Sequence, residues 1–430
     1  MIVSKFGGSS LCDAAHIRKV AEILKSDESR QVAVVSAPGK RSSDDTKITD
    51  RLYRCEKLAS EGKPITDEFE HVRERYLQIA QELALDSNIG EALDQVYKNI
   101  SEGAGPHYAA SRGEYLNGIL ISEYLGWKFI DAQDVVIIED DGTVADETYE
   151  LVGKAVEPGF HYIVPGFFGR DRKGIVRTFS RGGSDISGAI VARAIGADIY
   201  ENWTDVSGIS KADPRIVKNA QVINKLTYSE VRELAAVGFN VFHEDAIAPV
   251  REAGIPIQVK NTNRPQDEGT SIVASRDASE DPVVGISAKK DFVKISVHKL
   301  FLLKRPEMKD AIEKALREEG YSLDFTVAGI DDLTYFAQGP QSGETVASLL
   351  KERFSVESSS VEAGFAVAAV TGEGLSCEAE AVSRLFPALL EKGLSVEFVN
   401  IGASPVTALF GIRESEVKEV IHTLYDVLFS

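Results

Sequence analysis

MIVSKFGGSS, residues 1–10, sets a short strand-like run, Ile2 to Phe6, with a lysine as its penultimate residue, against two glycines and a helical pattern that begins at Asp13. A strand that stops in glycines and hands over to a helix brings free backbone N–H groups to one point, which is a place to hold phosphate. The next stretch repeats the order, with QVAVVS at residues 31–36 followed by SAPGK and a helix expected from near Asp45. Strand, helix and strand in that sequence predict an α/β fold with a mainly parallel sheet and ligands at the carboxyl ends of its strands. KFGGSS and SAPGK both lie at such ends.

Before the next strand, WKFI from Trp127, the pattern is long and helical through residues 66–85 and 107–126, which predicts a helical layer over the sheet. HYIVPGFFG, GIVRTF, RGGSDISGAIVARAIGA, ADIYENWTDV and GIPIQVKN then restore the alternation of strand and helix. RPQDEGTSIVASRDASEDP, residues 264–282, is polar and turn-rich and reads as a linker or exposed hairpin. Beyond it the units are short: VKISVHKL, a helix at residues 307–320, YSLDFTVAG, LTYFAQ, a helix at 343–354, and then the same order again from FAVAAVTG to the chain end. Strand–helix–strand–strand–helix written twice is a ferredoxin-like α+β pattern. The expected domains are 1–285, 286–360 and 361–430, the last two either sequential or interleaved.

At 430 residues the chain is long enough for two or three cores. Its formal charge of -19 opposes general binding to nucleic acid or to an anionic membrane, so an anionic ligand needs a local basic pocket. Cys12, Cys55 and Cys377 are far apart with no CxxC pair, which predicts neither a disulfide framework nor a zinc site and fits a reducing cytoplasm. No apolar run approaches the roughly 20 residues of a membrane span, and the N-terminus lacks a secretory pattern.

Four stretches carry chemistry. In KFGGSS, Lys5 closes a strand and Gly7 and Gly8 let backbone approach a ligand; a tight turn needs the glycines but not the lysine, whose ammonium suits phosphoryl oxygens. In RGGSD, Ser184 or Asp185 could serve simply as a helix N-cap. Yet Arg181, Gly182, Gly183 and Asp185 join a fork-shaped cation, two flexible residues and a carboxylate within five positions. NWTDVSGISKADPR brings Thr204, Asp205, Gly208, Asp213 and Arg215 into one loop, although a plain loop is also rich in Asp, Gly and Pro. Glu114, in SRGEYLNG, sits on a helix of mixed character, where a lone glutamate is usually a solvated face.

Together these stretches resemble the aspartate kinases of the amino-acid kinase superfamily. KFGGSS stands where that family has Lys-Phe-Gly-Gly-Thr-Ser, and VVSAPGK with KITD, RGEYLN, RGGSD, WTDVSGISKADPR and GIPIQVKNT follow in the family's order, with a paired ACT-type tail after them. The resemblance implies a three-layer kinase domain followed by two ferredoxin-like ACT domains. It also implies transfer of the γ-phosphate of ATP to the β-carboxylate of L-aspartate, the first step toward lysine, threonine and methionine. Such a nucleophile is already an anion at pH 7, so the site needs positioning and positive charge rather than a general base.

By the same resemblance, Lys5 and Asp185 are catalytic, with Lys5 on the moving phosphoryl group and Gly7, Gly8 and Ser9 donating to phosphate. Arg181 clamps the substrate α-carboxylate, Glu114 pairs with its α-ammonium and Thr49 helps to hold it. Thr204, Asp205, Gly208 and Arg215 contact the nucleotide, and Mg2+ travels with ATP rather than in a protein cage. The tail implies a homodimer or dimer of dimers and feedback by lysine, threonine or both, with Asp324 at a position that contacts lysine in some relatives. Another amino-acid kinase is disfavoured by the tail and by KITD with RGEYLN; a sensor that has lost activity is supported only by Asn240. A fused homoserine dehydrogenase is not expected.

Three departures stand out. Asn240 occupies the place of a phosphate-binding lysine, with Lys40 and Arg41 of the longer SAPGKRSSDDTK loop as candidates to replace its charge. Ser210 stands where a tyrosine is frequent. LLKRPEMKDAI lacks a glycine that relatives place after proline.

Overall fold

A computed structural model describes the chain apart from Arg181, residues 240–245, 377–378 and Ser430. The described residues divide into two compact units: Met1–Ile209 with Val222–Tyr228 and Val241–Arg276, and Ser210–Gln221 with Ser229–Asn240 and Asp277–Ser430. No helix among them is long and apolar enough to cross a membrane.

The strands of the first unit are β1 (Ile2–Phe6), β2 (Arg30–Val35), β3 (Lys128–Phe129), β4 (Tyr162–Pro165), β5 (Phe168–Arg170), β6 (Val176–Thr178), β7 (Ile199–Thr204), β8 (Lys225–Thr227), β9 (Ile257–Asn261) and β10 (Thr270–Val273). Eight form one sheet in the order β3-β4-β2-β1-β7-β9-β10-β8, and β5 with β6 makes a separate ribbon. From β3 to β9 every pairing is parallel; β10 runs antiparallel to β9 and parallel to β8. TSIV, inside the stretch expected to be a linker or exposed hairpin, is therefore a strand of the sheet, with Thr270 and Ile272 fully buried. Its flanks are polar and turn-rich, and four residues leave too short an alternation to outweigh them.

Helices α1 (Ala14–Lys25), α2 (Ile48–Ser60), α3 (Thr66–Glu82), α4 (Ile89–Ser101) and α5 (Pro106–Leu125) pack on one face, around Phe6, Ala33, Val35, Ile163 and Trp203. After α6 (Ala132–Val135) come α7 (Glu147–Ala155), α8 (Gly183–Ala194), α9 (Tyr228–Ala236), which falls from Ser229 on in the second unit, and α10 (Ile247–Ala253) of the first; α8 packs on β1 and β7 from the opposite face. Because side chains alternate along a strand, Phe6 and Trp203 face the large helical layer while Lys5 and Asn202 face α8. On the large layer's side, buried Glu201 accepts from Ser4 Oγ, Arg30 Nε and Trp203 Nε1, each at 2.8 Å.

The second unit carries β11 (Gly285–His298), α11 (Pro306–Glu318), β12 (Ser322–Ala328), β13 (Asp332–Gln338), α12 (Glu344–Phe354), β14 (Ser358–Thr371), α13 (Ala379–Glu391), β15 (Val396–Ser404), β16 (Thr407–Arg413) and α14 (Val417–Phe429). They form one antiparallel sheet, β12-β13-β11-β14-β16-β15. β11 and β14 run the length of both repeats. Phe292–His298 pairs with β13 and with Phe365–Ser358, whereas Gly285–Lys289 pairs with Thr371–Val367 beside β16. Each repeat thus borrows its fourth strand from the other, and two apolar cores result, one around Ile295, Ile312 and Leu350 and one around Ile286, Val370 and Leu424. The repeats are interleaved.

Candidate active site

β1, β2, β4 and β7 end together, at Gly7, Ser36, Gly166 and Asp205, and the cluster is built on those ends. Lys5 and Asn202 are register partners on adjacent strands. Both reach Asp185 in the first turn of α8: Lys5 Nζ lies 2.5 Å from its Oδ1, and Asn202 Nδ2 donates to the same oxygen at 2.8 Å. Tyr200 Oη donates to the Asp185 carbonyl at 3.0 Å and fixes that turn to β7. Lys5 is only 7 % exposed, so its ammonium acts in a setting where charge is weakly screened. α8 is capped by Gly182 at φ +72, not by Ser184 or Asp185, and the Asp185 carboxylate is left for Lys5 and Asn202.

The turn after β1 is a short 3-10 helix, Gly8–Leu11, with Gly7 before it. A Cβ on Gly8 would lie 2.9 Å from the Ala37 carbonyl, and one on Gly39 would lie 2.6 Å from the Gly8 carbonyl. Backbone therefore packs on backbone between KFGGSS and SAPGK, and Gly39 N–H donates to Gly8 O at 2.9 Å. Buried Arg75 holds the second loop: it pairs with Asp45 at 2.5 Å and donates to the carbonyls of Gly39 and Cys12, each at 3.2 Å. Arg41 turns onto Asp45 and Gln78, and Lys40 onto the Ser43 carbonyl.

Glu114 is not a solvated residue. α5 is buried along most of its middle, a Cβ on Gly113 would lie 2.8 Å from Ala37 Cβ, and Glu114 is 5 % exposed. Burial pushes its carboxyl up to about 8, against the opposing pull of the Ala37 N–H and the Arg112 guanidinium. Its Oε2 has no hydrogen-bond partner among the described residues. A buried, unpartnered carboxyl oxygen is costly unless a ligand completes it. Arg112 itself is stacked among Tyr108, Tyr115 and Phe168. Thr49, half-exposed, opens α2 next to Ile48, whose side chain meets Gly113.

The structure thus links Lys5, Gly7, Gly8 and Asp185 directly, and Glu114 through Ala37. Ser9 is exposed at the turn. Thr204 and Asp205 follow the end of β7, with Thr204 Oγ1 donating to Asp205 at 3.2 Å, and Gly208 turns at φ +106 against Thr270. Arg215 belongs to the second unit, where its exposed guanidinium pairs with Asp213 at 2.7 Å. Asp324, also in that unit, pairs with Lys289 at 2.7 Å. Arg181 and Asn240 lie outside the described residues. Sequence reasoning missed Asn202, Arg75 and the Glu201 cluster; the alternation of β7 against β1 was the available signal for Asn202.

The sequence profile of the Amino acid kinase family matches residues 1–261. Aspartokinase 3 of Bacillus subtilis is 37 % identical, over the whole of this chain and 99 % of that relative. The Lysine-sensitive aspartokinase 3 of Escherichia coli is 26 % identical over all of this chain and 99 % of its own. The crystal structure of Clostridium acetobutylicum aspartate kinase superposes with a TM-score of 0.95 at 37 % identity, each chain covered completely. Aspartokinase III of E. coli with aspartate and ADP shares the fold, at a TM-score of 0.80 and 24 % identity over both full chains. A glycine turn with an embedded lysine, full-length coverage and the profile match agree: the chain belongs to the amino acid kinase family and, within it, to the aspartate kinases.

Proposed function

We propose that the chain transfers the γ-phosphate of ATP to the β-carboxylate of L-aspartate. A carboxylate oxygen attacks the γ-phosphorus, the bond from that phosphorus to the β–γ bridging oxygen breaks, and ADP leaves with the electron pair; no proton moves. The observation that carries this reading is the Lys5 ammonium, paired with an Asp185 carboxylate that Asn202 orients, beside a turn where a Cβ on Gly8 would lie 2.9 Å from the Ala37 carbonyl. In this reading Lys5 follows the charge on the moving phosphoryl group, and Gly7, Gly8 and Ser9 give it donors. Glu114 receives the substrate α-ammonium, Arg181 the α-carboxylate, and Thr49 stands beside them. Thr204, Asp205, Gly208 and Arg215 serve the nucleotide. Magnesium entering with ATP would neutralise phosphate oxygens, and the Asp205 carboxylate and Thr204 hydroxyl are the hard oxygen donors that fit it.

We assign catalysis to residues 1–285 and control to the interleaved repeats, 286–360 and 361–430, which pair with a second copy and bind lysine, threonine or both. The E. coli structures named as holding aspartate with ADP, and lysine with aspartate, support that division by analogy of fold. A cytoplasmic setting fits Cys12 and Cys55, the free cysteines among the described residues. The test is ATP consumption with L-aspartate, L-glutamate and N-acetylglutamate as acceptors, with the acyl phosphate trapped by hydroxylamine and the assay repeated with lysine, threonine and both. Aspartate-dependent hydroxamate is expected; ATP binding without product for any acceptor would replace the enzyme with a sensor.

A further inference from the structure

Cys12, Asp13 and His16 stand where the glycine turn passes into α1, and none of them has a part in the proposed phosphoryl transfer. Cys12 Sγ lies 3.3 Å from His16 Nδ1 and 3.7 Å from Asp13 Oδ2, and His16 Nδ1 lies 2.8 Å from Asp13 Oδ1. Ligand atoms around a tetrahedral zinc, with bonds of roughly 2.0–2.3 Å, are about 3.4–3.6 Å apart. Cys12 Sγ therefore already stands within about 0.1 Å of that spacing from both His16 Nδ1 and Asp13 Oδ2, and the three residues offer ligand atoms that all lie within 4.8 Å of one another. Asp13 can coordinate through Oδ2 without giving up its cap, because Oδ1 is the atom that accepts the His16 N–H at 2.9 Å. A cavity of about 200 Å³, lined in part by Asp13, Arg41 and Arg75, opens on the Asp13 side of the cluster.

We propose that Cys12, Asp13 and His16 form a three-ligand site for a zinc-class divalent cation, with water as the fourth ligand. One thiolate, one imidazole and one carboxylate select a borderline-soft metal over magnesium or calcium. The spacing Cys-Asp-x-x-His escapes a search for paired cysteines. It works because residues 12 and 13 flank the helix start while residue 16 comes round one turn later. The metal would tie Cys12 to the first turn of α1, and the Cys12 carbonyl is one of the three groups held by Arg75, together with Gly39 and Asp45. Loading the site therefore stiffens the junction next to the phosphate turn and lowers turnover. Binding itself does not depend on the kinase reading; the effect on turnover does.

The probe is Co2+ added to chelator-treated full-length protein. One equivalent should give a thiolate-to-cobalt charge-transfer band and four-coordinate ligand-field bands, displaced by zinc. Cys12→Ser should abolish the charge-transfer band, and His16→Gln should weaken binding at least about 10–100-fold, the range lost when merely a supporting contact of a ligand is removed. Cys55→Ser should change nothing. Turnover of the parent should fall as the band grows, and the Cys12→Ser enzyme should ignore the metal. Absence of the band, a band that persists in Cys12→Ser, or equal affinity in His16→Gln would overturn the site; a fully developed band with unchanged turnover would overturn the coupling.

Discussion

Replacing Glu114 by glutamine should remove a pH dependence that the fold imposes on itself. In the folded chain burial pushes the Glu114 carboxyl up to about 8, from an ordinary 4.5, because it penalises the charged form. Between those two values the folded state holds a proton that the unfolded state has released. Stability therefore falls as pH rises through this window and is level below 4.5 and above about 8. At roughly 1.36 kcal/mol per pH unit the full effect is about 5 kcal/mol, and at pH 7 about 3. Glu114→Gln keeps the shape and has no such slope, although its unsatisfied amide costs a constant amount of about 1–3 kcal/mol. In thermal melts from pH 4 to 9 the parent should lose stability relative to Glu114→Gln steadily up to pH 8, and the two should run parallel above it. Aspartate should reverse the penalty, since its ammonium favours the ionised form. Only about one parent molecule in ten is ionised at pH 7 and one in a hundred at pH 6, so aspartate affinity should rise about tenfold over that interval and level off above 8. Identical pH slopes in the two proteins, for melting and for aspartate affinity, would refute the reasoning.

Lys5→Ala should cost about 10²–10³ in kcat with far-UV circular dichroism unchanged, and a folded variant with near-normal turnover would remove Lys5 from the chemistry. Gly39→Ala places a Cβ 2.6 Å from the Gly8 carbonyl, so the two loops must part; an ångström of displacement can cost about 100-fold, read as kcat/KM for ATP, and unchanged kinetics would show that the contact is idle. Glu201→Ala leaves part-buried Arg30 and buried Ser4 and Trp203 without their shared acceptor and should cost about 3–5 kcal/mol in denaturant unfolding, with KM for aspartate unaltered. Asp324→Ala should relieve inhibition by lysine without changing uninhibited kcat. Since Lys289 already supplies Asp324 with an ammonium, Lys289→Ala should lower the lysine concentration needed for inhibition; no shift in either variant would take Asp324 out of the effector site.

The parallel sheet and the position of the site were legible because strand ends that break into glycine are a local signal. Lys5, Gly7 and Gly8 need no distant contact to be noticed. Asn202 was harder: its role appears only when β7 is laid beside β1 and Asn202 meets Lys5 in register. Glu114 stood out only through the resemblance, because the mixed character of its neighbours by itself suggests a solvated face; α5 lies between helices and sheet and is buried nearly all round, so polarity along one helix does not report exposure. Whether the repeats are sequential or interleaved stayed open in the sequence for a similar reason. VKISVHKL and FAVAAVTG mark the far ends of β11 and β14, while the halves that cross into the other repeat read as more of the same strand.

Charge raises a last question, since a chain of formal charge -19 must admit two anionic substrates. Repulsion from its two nearest carboxyl groups would oppose both of them. Asp185 is held in an ion pair with Lys5, which cancels its charge toward an approaching phosphate while keeping the ammonium in place. Glu114 is kept mostly protonated at neutral pH by burial. In the proposed function neither carboxyl then presents net negative charge to ATP, and Glu114 is expected to ionise where the substrate brings a positive group to meet it. The acidic surface and the anionic substrates proposed for it are compatible because the fold neutralises Asp185 by a partner and Glu114 by desolvation. Aspartate binding should accordingly release close to one proton at pH 7, measurable by calorimetry in buffers of different ionisation enthalpy, and Glu114→Gln should release none.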